Sequence, residues 1–326
     1  MKILLTGATG FVGSHTAERL LASGHSVRAL TRSSSSLQWL EGKPIEVASG
    51  NLLNPETLKD SLTDVEMVIH IAGAVASKTK EGFYESNQLA TRGLLQACQQ
   101  YGNSLRQFIF ISSQTAGGPS LDGNPVTEET PPHPITTYGK SKLAAEQECL
   151  QFGDYFPTTI LRLPAIYGPR DTATLSFFQA INNRLKPLIG FQNKYVNLCY
   201  IEDIAHGIEQ AVETPATRNR LYYIGSERNY SWHELSSIAA EVMQKKGLFV
   251  RIPHSIVHVI AAFSEFSSIF KKKPSVLNWE KRLDLTAQSW TCSIERAKRE
   301  LAYQPKVSIE EGFEKTIRWY RDKKWM

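Results

Sequence analysis

The sequence predicts a doubly wound, parallel α/β sheet of Rossmann type joined to a smaller, partly helical part. Three observations carry that prediction. Short apolar strands alternate with helix-length amphipathic segments through the first half of the chain. Thr6-Gly7-Ala8-Thr9-Gly10-Phe11-Val12-Gly13 follows the apolar run Ile3-Leu4-Leu5 and opens a helical pattern. Beyond Tyr167-Gly168-Pro169 the alternation breaks, and Gly, Pro, Asn and Lys interrupt short segments from 170 to 198.

Taken in order, Leu20-Leu21 and the turn Ser23-Gly24-His25 close the first helix, and Val27 to Leu30 is the next strand. Further strands are expected at Ile45-Glu46-Val47, Met67 to Ile71, Phe108 to Ile111 and Thr159 to Arg162. Helices are expected near 55–63, 82–101 and 138–152. Asp203 to Glu213 reads as a helix and Leu221 to Ile224 as a strand, so the chain returns to the sheet. The remainder is irregular and helical, ending in a helix near 309–322. The expected division is 1–169 plus 199–225 for the nucleotide-binding domain, and 170–198 plus 226–326 for the substrate domain.

Composition narrows the class. With 326 residues, 41% hydrophobic and 21% charged, the chain is a globular enzyme in type, not a disordered or fibrous one. The net charge of +5 is scattered, which argues against a nucleic-acid partner. Cys98, Cys149, Cys199 and Cys292 lack metal-ligand spacing, and no apolar run reaches the ~18 residues of a membrane span. The expectation is a cytoplasmic protein with no metal. His254 and His258 share helical spacing, but no Glu follows the first, so no zinc site is read there.

The glycine stretch has a chemical reading. Gly7 permits a sharp turn, Gly10 lets the backbone approach a pyrophosphate, and Gly13 lets helix and strand pack closely. Amides of the helix start, from Thr9 through Phe11 and Val12, then face the phosphates at the positive end of the helix dipole. A glycine triplet alone is also a turn; the strand before it and the helix after it favour the nucleotide reading.

Tyr138 and Lys142 stand at i and i+4, on one helix face. Bringing a phenol from ~10 to near neutral takes ~4 kcal/mol. One ammonium about 4 Å away supplies ~4 kcal/mol at an effective dielectric of ~20. Tyr320 and Lys324 have the same spacing but no strand nearby, and are assigned to the surface. Tyr138 differs because Ser112-Ser113 closes the apolar strand 108–111, at the carboxyl edge where such sheets bind ligands. A hydroxyl of Ser113 there can hold a substrate oxygen while Tyr138 passes it a proton.

At these residues the chain resembles the extended short-chain dehydrogenase/reductase superfamily, or NAD-dependent epimerase/dehydratase family. The resemblance also rests on Gly50-Asn51-Leu52, His70-Ile71-Ala72-Gly73, Asn87, Leu161 to Pro164, Tyr167 to Arg170, and Tyr200 to Asp203. It implies that Ser113, Tyr138 and Lys142 are catalytic and that hydride moves at nicotinamide C4. It further implies a cofactor cleft bordered by Asn51, Leu52, Ala72, Gly73, Pro164, Ala165 and Ile166, with Asn87 ordering a water relay behind Lys142. A homodimer through the helices near 82–101 and 138–152 is also implied. Asn51 departs from the family's usual Asp, though its carbonyl can still accept from adenine.

The cofactor expected is NADP, with NAD the alternative. Thr31 stands where NAD enzymes place an acid, and Arg32 with Ser33 and Ser34 suits a 2′-phosphate. Arg28 either stacks on adenine or faces solvent. Gln114-Thr115 replaces the acidic pair of sugar dehydratases. Ala165 and Val196 replace the Asn and Arg that hold a sugar-nucleotide diphosphate, with Arg184, Lys186 and Lys194 as substitutes if the alignment slips. Val27 to Arg32, Leu163 to Pro169 and Ile294 to Leu301 resemble 3β-hydroxysteroid dehydrogenases and dihydroflavonol reductases. The expected activity is therefore ketone/alcohol interconversion on a mostly apolar small molecule. The alternatives are a nucleotide-sugar epimerase and a non-catalytic NADP-sensing regulator. The apolar segment 253–270, followed by Lys271-Lys272-Lys273, is read as a helix packed on its own core, with membrane-surface docking as the alternative.

Overall fold

In the first half of the chain, alternate strand residues enter opposite cores. Ile3 and Leu5 face one, with Met67, Ile69, Ile109, Ile111, Leu161 and Leu163. Leu4 faces the other, with Val68, Phe108, Phe110 and Ile160. That period of two, apolar on both faces, is what a parallel sheet covered on each side requires. The computed structural model describes residues 1–214, 219–256 and 280–326. Six strands, β1 (Lys2–Thr6), β2 (Ser26–Thr31), β3 (Ile45–Ser49), β4 (Met67–His70), β5 (Gln107–Ser113) and β6 (Thr158–Leu163), join the strand Arg220–Tyr223 in one sheet. Its order runs from Arg220–Tyr223 through β6, β5, β4 and β1 to β2 and β3, all parallel. The chain reverses direction across the sheet between β1 and β4, which opens a crevice at their carboxyl ends.

The helices are α1 (Phe11–Ala22), α2 (Lys80–Tyr84), α3 (Ala90–Tyr101), α4 (Gln114–Gly117) and α5 (Thr137–Gln151), followed by several more toward the C-terminus. The helix expected at 55–63 is instead two 3-10 turns, Pro55–Leu58 and Asp60–Leu62, and the one at 82–101 contains a π turn at Glu85–Leu89. Arg28 explains part of the first difference. It is buried, donates to the carbonyls of Ser61 (2.8 Å) and Thr63 (2.9 Å), and pairs with Glu46 at 2.7 Å. These bonds hold the 3-10 turns against the sheet, so Arg28 neither stacks on adenine nor faces solvent.

The division expected between 198 and 199 falls inside the strand Tyr195–Tyr200. This strand pairs with Ala165–Tyr167, Asn229–Ser231 and Ser289–Trp290, so both parts of the chain meet on it. The closing helix Ile309–Asp322 is amphipathic and buries Phe313, Ile317 and Tyr320. Tyr320 is therefore a core residue, not a surface one: its hydroxyl donates to the Asp171 carbonyl at 2.7 Å. No described helix is long and apolar enough to cross a membrane.

His70, at the end of β4, is wholly buried, with Nδ1 2.7 Å from Thr6 Oγ1 and Nε2 3.0 Å from Thr91 Oγ1. Burial, reinforced by the Lys142 charge, lowers its pKa from 6.5 to about 3. The unfolded chain therefore takes up this proton near pH 6.5 while the folded one does not, so stability falls as pH drops below that value. The steepest contribution is about 1.4 kcal/mol per pH unit. His15, also lowered by burial and by Arg170, acts in the same direction. Urea unfolding between pH 7 and 5 checks this: His70→Asn should flatten the dependence, and an unchanged slope would contradict it.

Candidate active site

The cofactor cradle begins at Gly7, which has a φ of +72° and no room for a side chain: an added Cβ would lie 2.7 Å from Ala72 N. Gly13 packs directly on the Gly7 carbonyl. Gly10, by contrast, is exposed, caps α1 without a side chain, and faces open space apart from the Gly7 carbonyl. Thr9, Phe11 and Val12 are only partly covered around it. A helix start left open and uncapped beside a glycine turn fits a dinucleotide pyrophosphate. Bound there, a nicotinamide dinucleotide would supply hydride transfer.

Other expected cofactor residues line the same sheet edge. Arg32 and Ser33 are exposed just past β2, and Asn51 is exposed past β3, where its Oδ1 accepts from Leu53 N at 3.0 Å. Leu52 packs partly into the core under α3. Ala72 N donates to Thr6 Oγ1 at 3.1 Å, and Gly73 lies against Asn87 and near Lys142. The side-chain amide of Asn87 is held by protein atoms on both sides. It donates to Ala74 O (3.1 Å) and Ser141 Oγ (2.9 Å) and accepts from Ala74 N (2.8 Å), which clamps the loop after β4 to α5. The β5–β6 register places Leu163 beside Ser113, so Pro164, Ala165 and Ile166 leave the sheet next to that serine.

Helix α5 carries the expected catalytic pair, and its start is fixed by Thr136, which accepts from Gly139 N at 3.2 Å. Tyr138 lies near the Ser113 hydroxyl and packs its ring against Phe83. Ser113 Oγ in turn accepts from Thr115 N (3.2 Å) and Thr115 Oγ1 (2.9 Å), leaving its own proton for another acceptor. Lys142 is buried, donates to Ile111 O at 2.7 Å, and sits 4.1 Å over the Phe110 ring. Burial lowers its pKa to about 8, opposed by the Glu146 carboxylate.

Lys142 does not draw Tyr138 toward neutrality here. Burial raises the phenol to about 12; the Ser113 hydroxyl opposes this, and the Asp284 carboxylate adds to it. Helical spacing alone puts the ammonium beside the phenol, whereas in the fold it is directed at the Ile111 carbonyl.

Three acidic groups of this site, Glu146, Glu280 and Asp284, are not among the residues expected from the sequence. Glu146, one turn after Lys142, receives Arg162 Nε (2.9 Å) and Nη2 (2.7 Å) and Ser112 Oγ (2.5 Å), all buried. Glu280 accepts from both Thr137 N and Thr137 Oγ1 at 2.8 Å, at the first turn of α5. Asp284 follows one turn later on the helix Lys281–Thr286. Lys194 closes the far end of that helix, donating to the carbonyls of Leu285, Thr286 and Ala287 at 2.6–3.0 Å. Spacing offers one hint: Glu146 stands four residues after Lys142, as Lys142 does after Tyr138.

Residues 3–225, which include the glycine turn and Tyr138, match a family model described as "NAD dependent epimerase/dehydratase family". The chain belongs to that family. It is accordingly an NAD(P)-dependent enzyme of the oxidoreductase and epimerase type. Among curated proteins it is similar to the ceramide reductase of Caulobacter vibrioides, at 31% identity over 99% of this chain and 96% of that one. It is similar also to the human sterol-4-alpha-carboxylate 3-dehydrogenase, decarboxylating, at 26% identity over 97% of this chain and 87% of that one. Among solved structures, that of gox2253 superposes with a TM-score of 0.83 at 28% identity, covering 99% of both chains. Within the family fold, the crevice between β1 and β4 is where this member's glycines lie.

Proposed function

We propose that the protein is an NADP-dependent oxidoreductase interconverting a ketone and an alcohol on a mostly apolar small molecule. The observation that carries this reading is the juxtaposition of the Tyr138 phenol, on the first turn of α5, with the Ser113 hydroxyl at the end of β5, with Lys142 anchored on the carbonyl of Ile111 in the same strand. Ser113 holds the substrate oxygen and Tyr138 gives or takes its proton. A phenol held near 12 is protonated at neutral pH, which suits a donor to a ketone oxygen as it becomes an alkoxide. Lys142 anchors the nicotinamide ribose and, once its one partner carbonyl is shared, adds positive charge near the phenol. Arg32 with Ser33 pairs with the 2′-phosphate; Thr31 brings no competing carboxylate.

Two of the three cations that would serve a sugar-nucleotide diphosphate, Lys194 and Lys186, are engaged elsewhere. Lys194 directs its three N–H groups at backbone carbonyls, and Lys186 lies 4.9 Å over the Phe249 ring. Ala165 is exposed but offers no donor, and Val196 is buried. A diphosphate without such partners costs several kcal/mol to enclose. Ceramide and sterol, for which two relatives are named, are both largely apolar.

Thermal unfolding with NADPH present, against UDP, dTDP, GDP and a panel of steroid-like and flavonoid-like ketones, tests the reading. A ligand at a hundredfold excess over its dissociation constant adds about 2.7 kcal/mol of stability. A ketone-dependent shift with silent nucleotides is expected, together with a larger shift from NADPH than from NADH. A shift from a nucleoside diphosphate would make the protein a sugar-nucleotide enzyme instead.

A further inference from the structure

The strand Leu185–Ile189 pairs in parallel with Leu248–Ile252, residue for residue. Lys186, Leu188, Phe249 and Arg251 share one face. That face is partly covered: Leu188 is buried, and Phe249, 40% exposed, stacks on His233 with ring centroids 4.1 Å apart. The opposite face consists of Leu185, Pro187, Ile189, Leu248, Val250 and Ile252, apolar at every position. Parallel strands are ordinarily covered on both sides. Here Leu248 is 79% exposed, Leu185 47% and Val250 40%, and Phe191 just beyond the strand is 71% exposed.

The charge around this face has one sign. Arg184, Lys245 and Lys246 lie beside the two strands, whereas Lys186 and Arg251 project from the opposite face, onto the Phe249 ring and onto the Gly190 and Phe191 carbonyls. No Asp or Glu occurs from 172 to 201 or from 242 to 256. Two copies meeting through this face about a two-fold axis would bring the flanking Arg184, Lys245 and Lys246 together, which disfavours self-association. An apolar surface framed by cations matches instead an acyl boundary beneath anionic headgroups.

We propose that this face docks the protein on the surface of a lipid bilayer that carries anionic headgroups. Leu185, Val250 and Leu248 enter the acyl boundary, and the cations meet the lipid phosphates. The docking edge leads toward the proposed site. Gly190 N donates to Ile252 O at 2.8 Å, and a cavity of about 400 Å³ opens there, lined by Gly190, Phe191, His254 and Thr286 among others. Thr286 lies on the same short helix as Asp284, whose charge reaches Tyr138. Docking itself does not depend on the identity of the substrate.

Flotation of the full-length protein with vesicles tests the proposal, using phosphatidylcholine alone or mixed with phosphatidylglycerol. Binding to the anionic vesicles is expected, weakening as salt is raised. Lys245→Gln with Lys246→Gln should lower the partition by roughly fivefold per charge removed. Leu248→Ser, at the most exposed position of the face, should lower it on its own, and the midpoint of thermal unfolding, measured for each variant, shows that the fold is kept. Wild-type protein that stays unbound with both vesicle types would overturn the proposal. Equal binding by wild type and both variants would overturn it too, because the contact would then run through another surface.

Discussion

Tyr138→Phe is expected to lower turnover by about 10²–10⁴-fold while leaving the NADPH-induced shift in unfolding temperature unchanged. The substitution removes one oxygen and little else. The ring keeps its packing against Phe83, and Ser113 keeps its two donors from Thr115. What is lost is the proton that the phenol, held near 12, supplies to the substrate oxygen. Single-turnover reduction of the best ketone from the thermal screen, with cofactor binding measured in parallel, separates the two properties. Loss of NADPH binding together with turnover would contradict the role assigned to Tyr138, since the cradle around Gly7, Gly10 and Gly13 is built by other residues.

The second large effect is one of stability. Glu146→Ala would leave the Arg162 guanidinium buried, with the Tyr223 hydroxyl at 3.0 Å as its remaining side-chain partner. Breaking a buried pair from one side costs about 3–5 kcal/mol. That is a large part of the roughly 5–15 kcal/mol that typically separates folded from unfolded chains. Urea unfolding should show the loss directly. Glu146→Gln, which keeps an acceptor for Ser112 and Arg162, should lose less. Pairing Glu146→Leu with Arg162→Met should recover much of it, because no charge is then stranded. A double variant no more stable than Glu146→Ala would show that shape, not charge, dominates at this position. Since Glu146 is one turn from Lys142, the same variants report how far the pair steadies the reactive helix.

Much of the sheet is legible in the sequence because it obeys a simple period. Alternating apolar residues in β1, β4, β5 and β6 have two buried faces to fill, so strand and neighbour can be read from pattern alone. The glycine turn is legible for a similar reason: Gly7 and Gly13 sit where a single added carbon meets backbone. What escapes is pairing at a distance. Arg28 reads as either an adenine contact or a solvent-facing residue because its three carbonyl partners lie 32 to 35 residues away on turns without an apolar pattern. Tyr320 reads as surface because nothing near it in sequence announces Asp171, 149 residues earlier. Glu280, at the start of α5, is hidden in the same way, 143 residues from Thr137. Local rules find elements; partners far apart in sequence are set by the folded chain. The segment 253–270, with Lys271 to Lys273 after it, lies mostly outside the described residues, so its expected packing rests on the sequence alone.

The contacts of Glu280 and of the closing helix also bear on how the molecule comes into being. The glycine turn is complete within the first 13 residues, and the reactive tyrosine emerges before mid-chain. Yet the carboxylate at the head of α5 comes from position 280, and Gly312 presses on the Tyr167 ring just past Pro164 to Ile166. A growing chain thus exposes its nucleotide half long before it can finish the reactive edge. The same core that backs β1 and β4 is closed by Phe313, Ile317 and Tyr320, so the two ends of the described chain depend on each other.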